Sequence, residues 1–209
     1  MKNSFFTIFG GLAILAGSAR ADLTLGVNPG TYPGGGASDT YAYSLFAYQQ
    51  VPAVNATDDV LSSWSFYGLT TNPVAPVIYS GSLTAGSGSL KVVWVGSTVV
   101  PVLGAQTYTI TGAPTLVAGE YLGWQDLANA GSIAFTGEGY GTPDGGGISY
   151  DNGVSGPASV GTSYPFIDAS TDVRDYYADF TLTPEPMYYG LLAVGLALLF
   201  LFRRLARVS

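Results

Sequence analysis

The 209-residue sequence contains neither cysteine nor histidine. Without cysteine, no disulfide can stabilise the fold and no lipid can be attached to an N-terminal Cys. Without either residue, the Ser-His-Asp and Cys-His nucleophile systems and the common zinc sites cannot be built. Carboxylate-only catalysis and calcium sites made of oxygen ligands survive this exclusion. Stability must therefore come from packing.

Basic residues are almost absent from the middle of the chain. Between residues 22 and 183 only Lys91 and Arg174 are basic, against 13 acidic residues, which gives this region a formal net charge of −11. Nucleic acid is excluded as a partner because its binding depends on Lys and Arg neutralising phosphates. The acidic balance favours solubility outside the cell. The length, about 160 residues, suits one domain with its own core.

The C-terminal segment, residues 184–209, has three parts. Pro184, Glu185 and Pro186 come first, and their two prolines stop any helix or central strand. The next 16 residues, 187–202, carry no charge and would form a helix about 24 Å long, slightly short of a hydrocarbon core of about 30 Å. Three arginines then place the C-terminus in the cytoplasm: Arg203, Arg204 and Arg207. The pattern predicts a single transmembrane helix.

This order of motif, apolar helix and basic end resembles the PEP-CTERM sorting signal. The resemblance implies that the protein is a substrate of an exosortase-type transpeptidase, an integral-membrane cysteine enzyme of Gram-negative bacteria that make extracellular polysaccharide. It also implies export, transient anchoring in the inner membrane, cleavage near Pro184-Glu185-Pro186 and delivery to the cell surface or extracellular matrix. The alternative is a permanent single-pass anchor in which the Pro-Glu-Pro occurs by chance.

The N-terminus, residues 1–21, has the features of a secretory signal peptide. A positive start at Lys2 is followed by an apolar stretch over residues 5–16, and Ala19 and Ala21 frame a small-x-small cleavage site. The mature chain is expected to begin at Asp22. An uncleaved N-terminal membrane anchor is the alternative.

The central region, residues 22–183, is predicted to be all-β. It is rich in Gly, Ser, Thr and Tyr and has no long pattern at helical spacing. Eight to ten short strands separated by Gly and Pro turns indicate a β-sandwich or jelly roll. Their order loosely resembles β-sandwich ectodomains that precede this sorting tail, which supports the fold and supplies no activity. The predicted strands cover residues 23–27, 41–48, 63–67, 77–79, 91–95, 106–111, 120–124, 131–135, 148–150 and 176–182, with a short helix as the alternative for residues 41–48.

Two kinds of binding site are open to this region. Asp144 and Asp151, beside glycines and Asn152, could bring oxygen ligands together for calcium, although Asp, Asn and Gly are also the ordinary residues of turns. Exposed aromatic rings could stack on sugars, although aromatics that alternate with small polar residues are more often core. The candidate glycan contacts are Trp64, Trp94 and Trp124, with Tyr121 and Tyr150.

Catalysis is not expected. A glycosidase needs two carboxyl groups about 5 to 10 Å apart in a cleft, and no spacing selects a pair among Glu120, Glu138, Asp126, Asp58 and Asp59. Arg174 is expected to form a local ion pair with Asp172 or Asp175.

The sequence thus predicts an exported, non-enzymatic surface or matrix protein without a cofactor, structural or adhesive in exopolysaccharide or biofilm. Its expected partners are the transpeptidase, the inner membrane and exopolysaccharide. A cell-surface carbohydrate-binding module and a permanently anchored protein facing the periplasm are the alternatives.

Overall fold

The computed structural model describes residues 22–41, 43–52, 59–84, 87–128, 130–136, 149–151, 154–168 and 174–184, and strands make up most of these described residues. In chain order the strands are β1 (Leu23–Gly26), β2 (Leu45–Gln50), β3 (Asp59–Gly68), β4 (Val74–Thr84), β5 (Ser87–Val95), β6 (Gly104–Thr109), β7 (Tyr121–Asp126), β8 (Phe135–Thr136), β9 (Ser149–Asp151), β10 (Ser163–Asp168), β11 (Asp175–Tyr176) and β12 (Ala178–Pro184). A short 3-10 turn, Pro29–Thr31, follows β1. The described residues contain no α-helix, which confirms the all-β prediction.

Several predictions fall outside these residues. They are the signal peptide with Ala19 and Ala21, the calcium candidate Asp144, the acids Asp58 and Glu138, and the C-terminal segment from Glu185 onward, including Pro186, the helix 187–202, Arg203, Arg204 and Arg207.

The strands form two main layers. One is a four-stranded sheet in the order β1-β12-β3-β6, and the other closes on itself as a ring in the order β10-β5-β4-β7-β2-β9. A two-stranded sheet, β11-β8, stands beside them. Every strand pair whose register is described is antiparallel. The arrangement agrees with the predicted sandwich at the level of two packed layers, but one layer has no free edge because β9 and β10 bridge β2 to β5.

Alternation along the ring strands creates two separate cores. Leu45 and Ala47 of β2 belong to a cluster contributed by ring strands alone, which therefore fills the inside of the ring. Phe46 and Tyr48, the residues between and after them, belong to a larger cluster that includes side chains of both layers. Because successive side chains of a strand point to opposite faces, one strand serves both cores.

The strand β5 shows the same two-sided packing. Val92 is buried in the ring core, whereas Val93 and Trp94 contact the interlayer core. A register shift between Ile78 and Tyr79 on β4 leaves Val93 without its own partner, so Val93 and Trp94 share one face. The apolar run 91–95 was predicted to be a central strand, and β5 indeed pairs with a neighbour on each side.

Aromatic rings dominate the interlayer core. Phe46 stacks on Trp124 with ring centroids 4.9 Å apart, and Trp124 meets Tyr176 edge-on at 5.1 Å. Trp64 and Phe180 of the four-stranded sheet lie parallel at 6.1 Å. Because the chain has no cysteine, packing contacts of this kind, rather than disulfides, hold the two layers together.

Prolines and one turn account for the main differences from the predicted strands. Residues 41–48 were expected to form a strand, but β2 begins only at Leu45, and Tyr43 adopts a left-handed φ of 56°. A strand was predicted over residues 77–79, but β4 already begins at Val74 and includes Pro76. The carbonyl of Pro76 accepts a hydrogen bond from Gly96 N, just after β5. Because the N–H and C=O of a strand residue point to the same side, the N–H that proline lacks would also face the end of β5, where no strand hydrogen bond is lost. No strand was predicted for β10, which contains Pro165.

Gly123 permits the close pairing of β2 and β7. A Cβ built at this position would overlap the carbonyl oxygen of Phe46. We therefore expect Gly123→Ala to lower the free energy of unfolding by about 2 kcal/mol or more, because backbone atoms have to move apart. Gly156→Ala is the matched control, since a Cβ there meets nothing within 4 Å. Equal denaturant midpoints for the two variants would contradict this account.

Candidate functional site

Two of the three tryptophans proposed as glycan contacts are core residues. Trp64 and Trp124 are both 0% exposed, and each packs against other aromatic rings of the interlayer core. Their rings are therefore not available to stack on a sugar. Trp94 is half-buried and packs against the same core. Tyr121 is also half-buried and packs against the ring core. Tyr150 lies on β9, where the structure describes its backbone but not its side chain.

The other candidate sites are not assembled by the described residues. Asp151 lies half-buried on β9, and the described part of the chain holds no group of three or more acidic residues that could bind a metal ion. Glu120 accepts a hydrogen bond from Val117 N at 2.8 Å and so closes the turn before β7. Glu120 and Asp126 flank one extended strand and lie about 20 Å apart, too far for paired catalytic carboxyl groups.

The structure does bring together four polar residues from three distant segments of the sequence, which we name the two-acid cluster: Asp39, Asp126, Arg174 and Tyr176. Asp39 is 6% exposed and forms an ion pair with Arg174 through its Oδ1 atom. Its Oδ2 atom accepts a hydrogen bond from the Tyr176 hydroxyl at 2.6 Å. The Arg174 guanidinium lies 4.5 Å from the centroid of the Phe135 ring, a cation–π contact.

Asp126 completes the cluster but has no comparable partner. It is 1% exposed, and neither of its carboxyl oxygens has a hydrogen-bond partner in the part of the chain that the structure describes. The side chains of Asp39 and Asp126 converge on Gly131, where a built Cβ would lie 2.7 Å from Asp126 Oδ2 and 3.1 Å from the Asp39 Cβ. Only glycine leaves room for both acids here.

Burial governs the ionisation of both acids. It raises the pKa of Asp126 well above the usual range, and the negative charge of nearby Asp39 raises this pKa further. Burial also raises the pKa of Asp39, although the hydrogen bond from Tyr176 and the charge of Arg174 oppose that rise. The two carboxyl groups therefore differ in environment: one is compensated by a cation and the other is not.

Backbone hydrogen bonds hold the cluster in place. Asp126 N donates to Ser44 O at 3.0 Å, and Gly131 N donates to Asp39 O at 2.8 Å. The residues around Gly131 are fixed in turn by Asn72, whose Nδ2 atom donates to Ala130 O and whose carbonyl accepts from Ser132 Oγ. The cluster thus joins the 39–44 segment, the end of β7 and the start of β11 at one rigid corner.

Sequence reasoning missed this cluster. Arg174 was expected to pair locally with Asp172, which lies outside the described residues, or Asp175, yet the ion pair that the structure describes joins it to Asp39, 135 residues away. Asp126 was considered only as one of several acids without a selected partner. The available signal was the scarcity of basic residues, which made any buried acid near Arg174 a candidate.

Comparisons with known proteins give no further guide, since no family model, no curated protein and no solved structure matches this chain. Among the described residues, no helix has the length and apolar character needed to cross a membrane. The buried two-acid cluster offers no exposed nucleophile and no open carboxylate pair, so its geometry fits a structural role.

Replacing Arg174 tests that role. In Arg174→Met the buried Asp39 loses its cation, and we expect the free energy of unfolding to fall by about 3 kcal/mol. The double variant Asp39→Asn/Arg174→Met should recover part of this loss, because no buried charge is then left unpaired at Asp39. Lys91→Met, at an exposed position of β5, is the matched control and should change stability by less than about 0.5 kcal/mol. Chemical denaturation at neutral pH measures all three, and an Arg174→Met protein as stable as Lys91→Met would contradict the role.

Proposed function

We propose that this chain is an exported surface or matrix protein whose β-domain is released by an exosortase-type transpeptidase at Pro184-Glu185-Pro186. The domain serves a structural or adhesive role in exopolysaccharide and has no catalytic activity. The observation that carries the proposal is the end of β12, which falls at Pro184, the first residue of the sorting motif. The motif thus begins where the folded domain ends.

The pairing of the terminal strands supports release without unfolding. Leu23 of β1 pairs with Leu182 of β12, so the two ends of the domain lie on neighbouring strands. Leu182 is fully buried, whereas Thr183 and Pro184 are half-buried. A cut beyond Pro184 leaves every buried strand residue in place, and a cut after Ala21 leaves only Asp22 ahead of β1. Both proposed cleavages therefore flank the folded unit Asp22–Thr183.

The composition of the domain supports a structural role. Most of its tryptophan and phenylalanine side chains pack in or against the interlayer core. Its excess of acidic over basic residues suits a soluble protein in a polysaccharide matrix. A carbohydrate-binding module is less well supported because Trp64 and Trp124 are buried. Of the three proposed rings, Trp94 alone retains exposed surface.

Glu185→Ala tests the sorting proposal in a bacterium that carries the transpeptidase. We expect membrane insertion to be unchanged and release into the medium to be lost, because the variant keeps the apolar segment and the arginines but lacks the acidic recognition group. Thr183→Ser is the matched control and should be released like the parent protein. The readout is the partition of the protein between membrane and medium, by immunoblot.

Two outcomes would contradict the proposal. Unchanged release of Glu185→Ala would show that the motif does not direct processing. Retention of the parent protein in the membrane, with or without the transpeptidase, would instead indicate a permanent single-pass anchor.

A further inference from the structure

The two-acid cluster contains more acids than cations. Arg174 compensates Asp39, but no basic group compensates Asp126 within the described residues. The only other basic residue described is Lys91, which is exposed on β5. With both acids ionised, the cluster would carry one surplus negative charge, and it would lie on Asp126, which is 1% exposed.

The groups that face Asp126 do not relieve this charge. One neighbour is Asp39, from the segment before β2, which is itself acidic. Another is Tyr79 of β4, whose hydroxyl donates a hydrogen bond to Trp124 O at 3.4 Å. From the β11 side, Tyr176 and Arg174 both bind Asp39. Burying a carboxylate without a partner costs several kcal/mol, so the neutral carboxyl is the favoured form.

We propose that Asp39 and Asp126 form a buried proton-binding site, and that this proton stabilises the corner at which the 39–44 segment meets β7 and β11. One proton takes the place of a missing second cation. Asp39 keeps its ion pair with Arg174, and its negative charge favours the neutral form of Asp126, so the proton resides on Asp126. The site concerns the folded domain alone and does not depend on the proposed sorting.

The proposal fixes the direction of the pH dependence. Each acid of the pair has a raised pKa in the folded state, so between about pH 4 and the folded-state pKa the native protein holds more protons than the unfolded chain. Stability contributed by this site is therefore present in acid and is lost as the pH rises through that window. This is the reverse of the usual behaviour of a surface carboxylate paired with a cation.

The corner lies close in sequence to the end of the domain that bears the motif. Tyr176 belongs to β11, and β12 follows two residues later and runs to Pro184. Tyr177 N also donates to Ala134 O, which ties the same stretch to the segment after Gly131. The proton-binding corner is therefore connected both to β7 of the ring and to the last strands of the domain.

The first test compares the full-length protein in detergent with its Asp126→Asn variant by chemical denaturation from pH 5 to pH 8. One linked proton changes the unfolding equilibrium by up to about tenfold per pH unit. We expect the free energy of unfolding of the parent protein to fall as the pH rises. In Asp126→Asn the slope of this fall should be smaller by the contribution of one proton, whatever the absolute stability of the variant. Asp22→Asn, at an exposed acid, should keep the parent slope. An Asp126→Asn slope equal to that of the parent would overturn the proposal.

A second measurement serves if Asp126→Asn does not fold. Carbon-13 NMR of the aspartate carboxyl groups in the parent protein reports protonation directly, and we expect a carboxyl carbon of the pair to titrate well above pH 4. Titration of both at about pH 4 or below would overturn the proposal. The proposal would also be overturned if calcium at pH 7.5 stabilised the parent protein but not Asp126→Asn, because a metal ion rather than a proton would then occupy the site.

Discussion

The fold depends most on Tyr176, which connects the aromatic interlayer core to the two-acid cluster. Its ring packs against Phe46 and Trp124 in the interlayer core, and its hydroxyl reaches Asp39 in the two-acid cluster. One side chain thus joins the aromatic packing that holds the layers together to the ion pair that fixes the corner. In a domain without disulfides and with two basic residues, this side chain and the backbone hydrogen bonds around Gly131 connect these regions.

The fold class could be predicted because alternation is a local property. Residues 23–27 and 176–182 alternate clearly, and β1 and β12 lie almost where the pattern put them. Pairing is not local, so closure of the ring through β9 and β10 left no mark on the sequence pattern. Pro165 further concealed β10, since proline normally argues against a strand.

The candidate site was less predictable, for a physical reason. The sequence shows which residues ionise but not which of them will be buried together, and Asp39, Asp126 and Arg174 come from three distant segments. Burial also decided between the two interpretations of the tryptophans, since Trp64 and Trp124 are core residues. Trp64 alternates with serines because its ring faces the interlayer core while Ser63 and Ser65 lie on the opposite face of β3, and the same alternation also occurs where the aromatic face is exposed.

Residues Asp22–Thr183 form one compact unit, and we propose that this unit is the mature protein, bounded by two cleavages. The intact mass of the protein recovered from medium or matrix, compared with that recovered from membranes, tests it most directly. The account predicts a released species that begins at Asp22 and ends between Thr183 and Pro186. A species found only in membranes and still carrying Arg203 and Arg204 would contradict it.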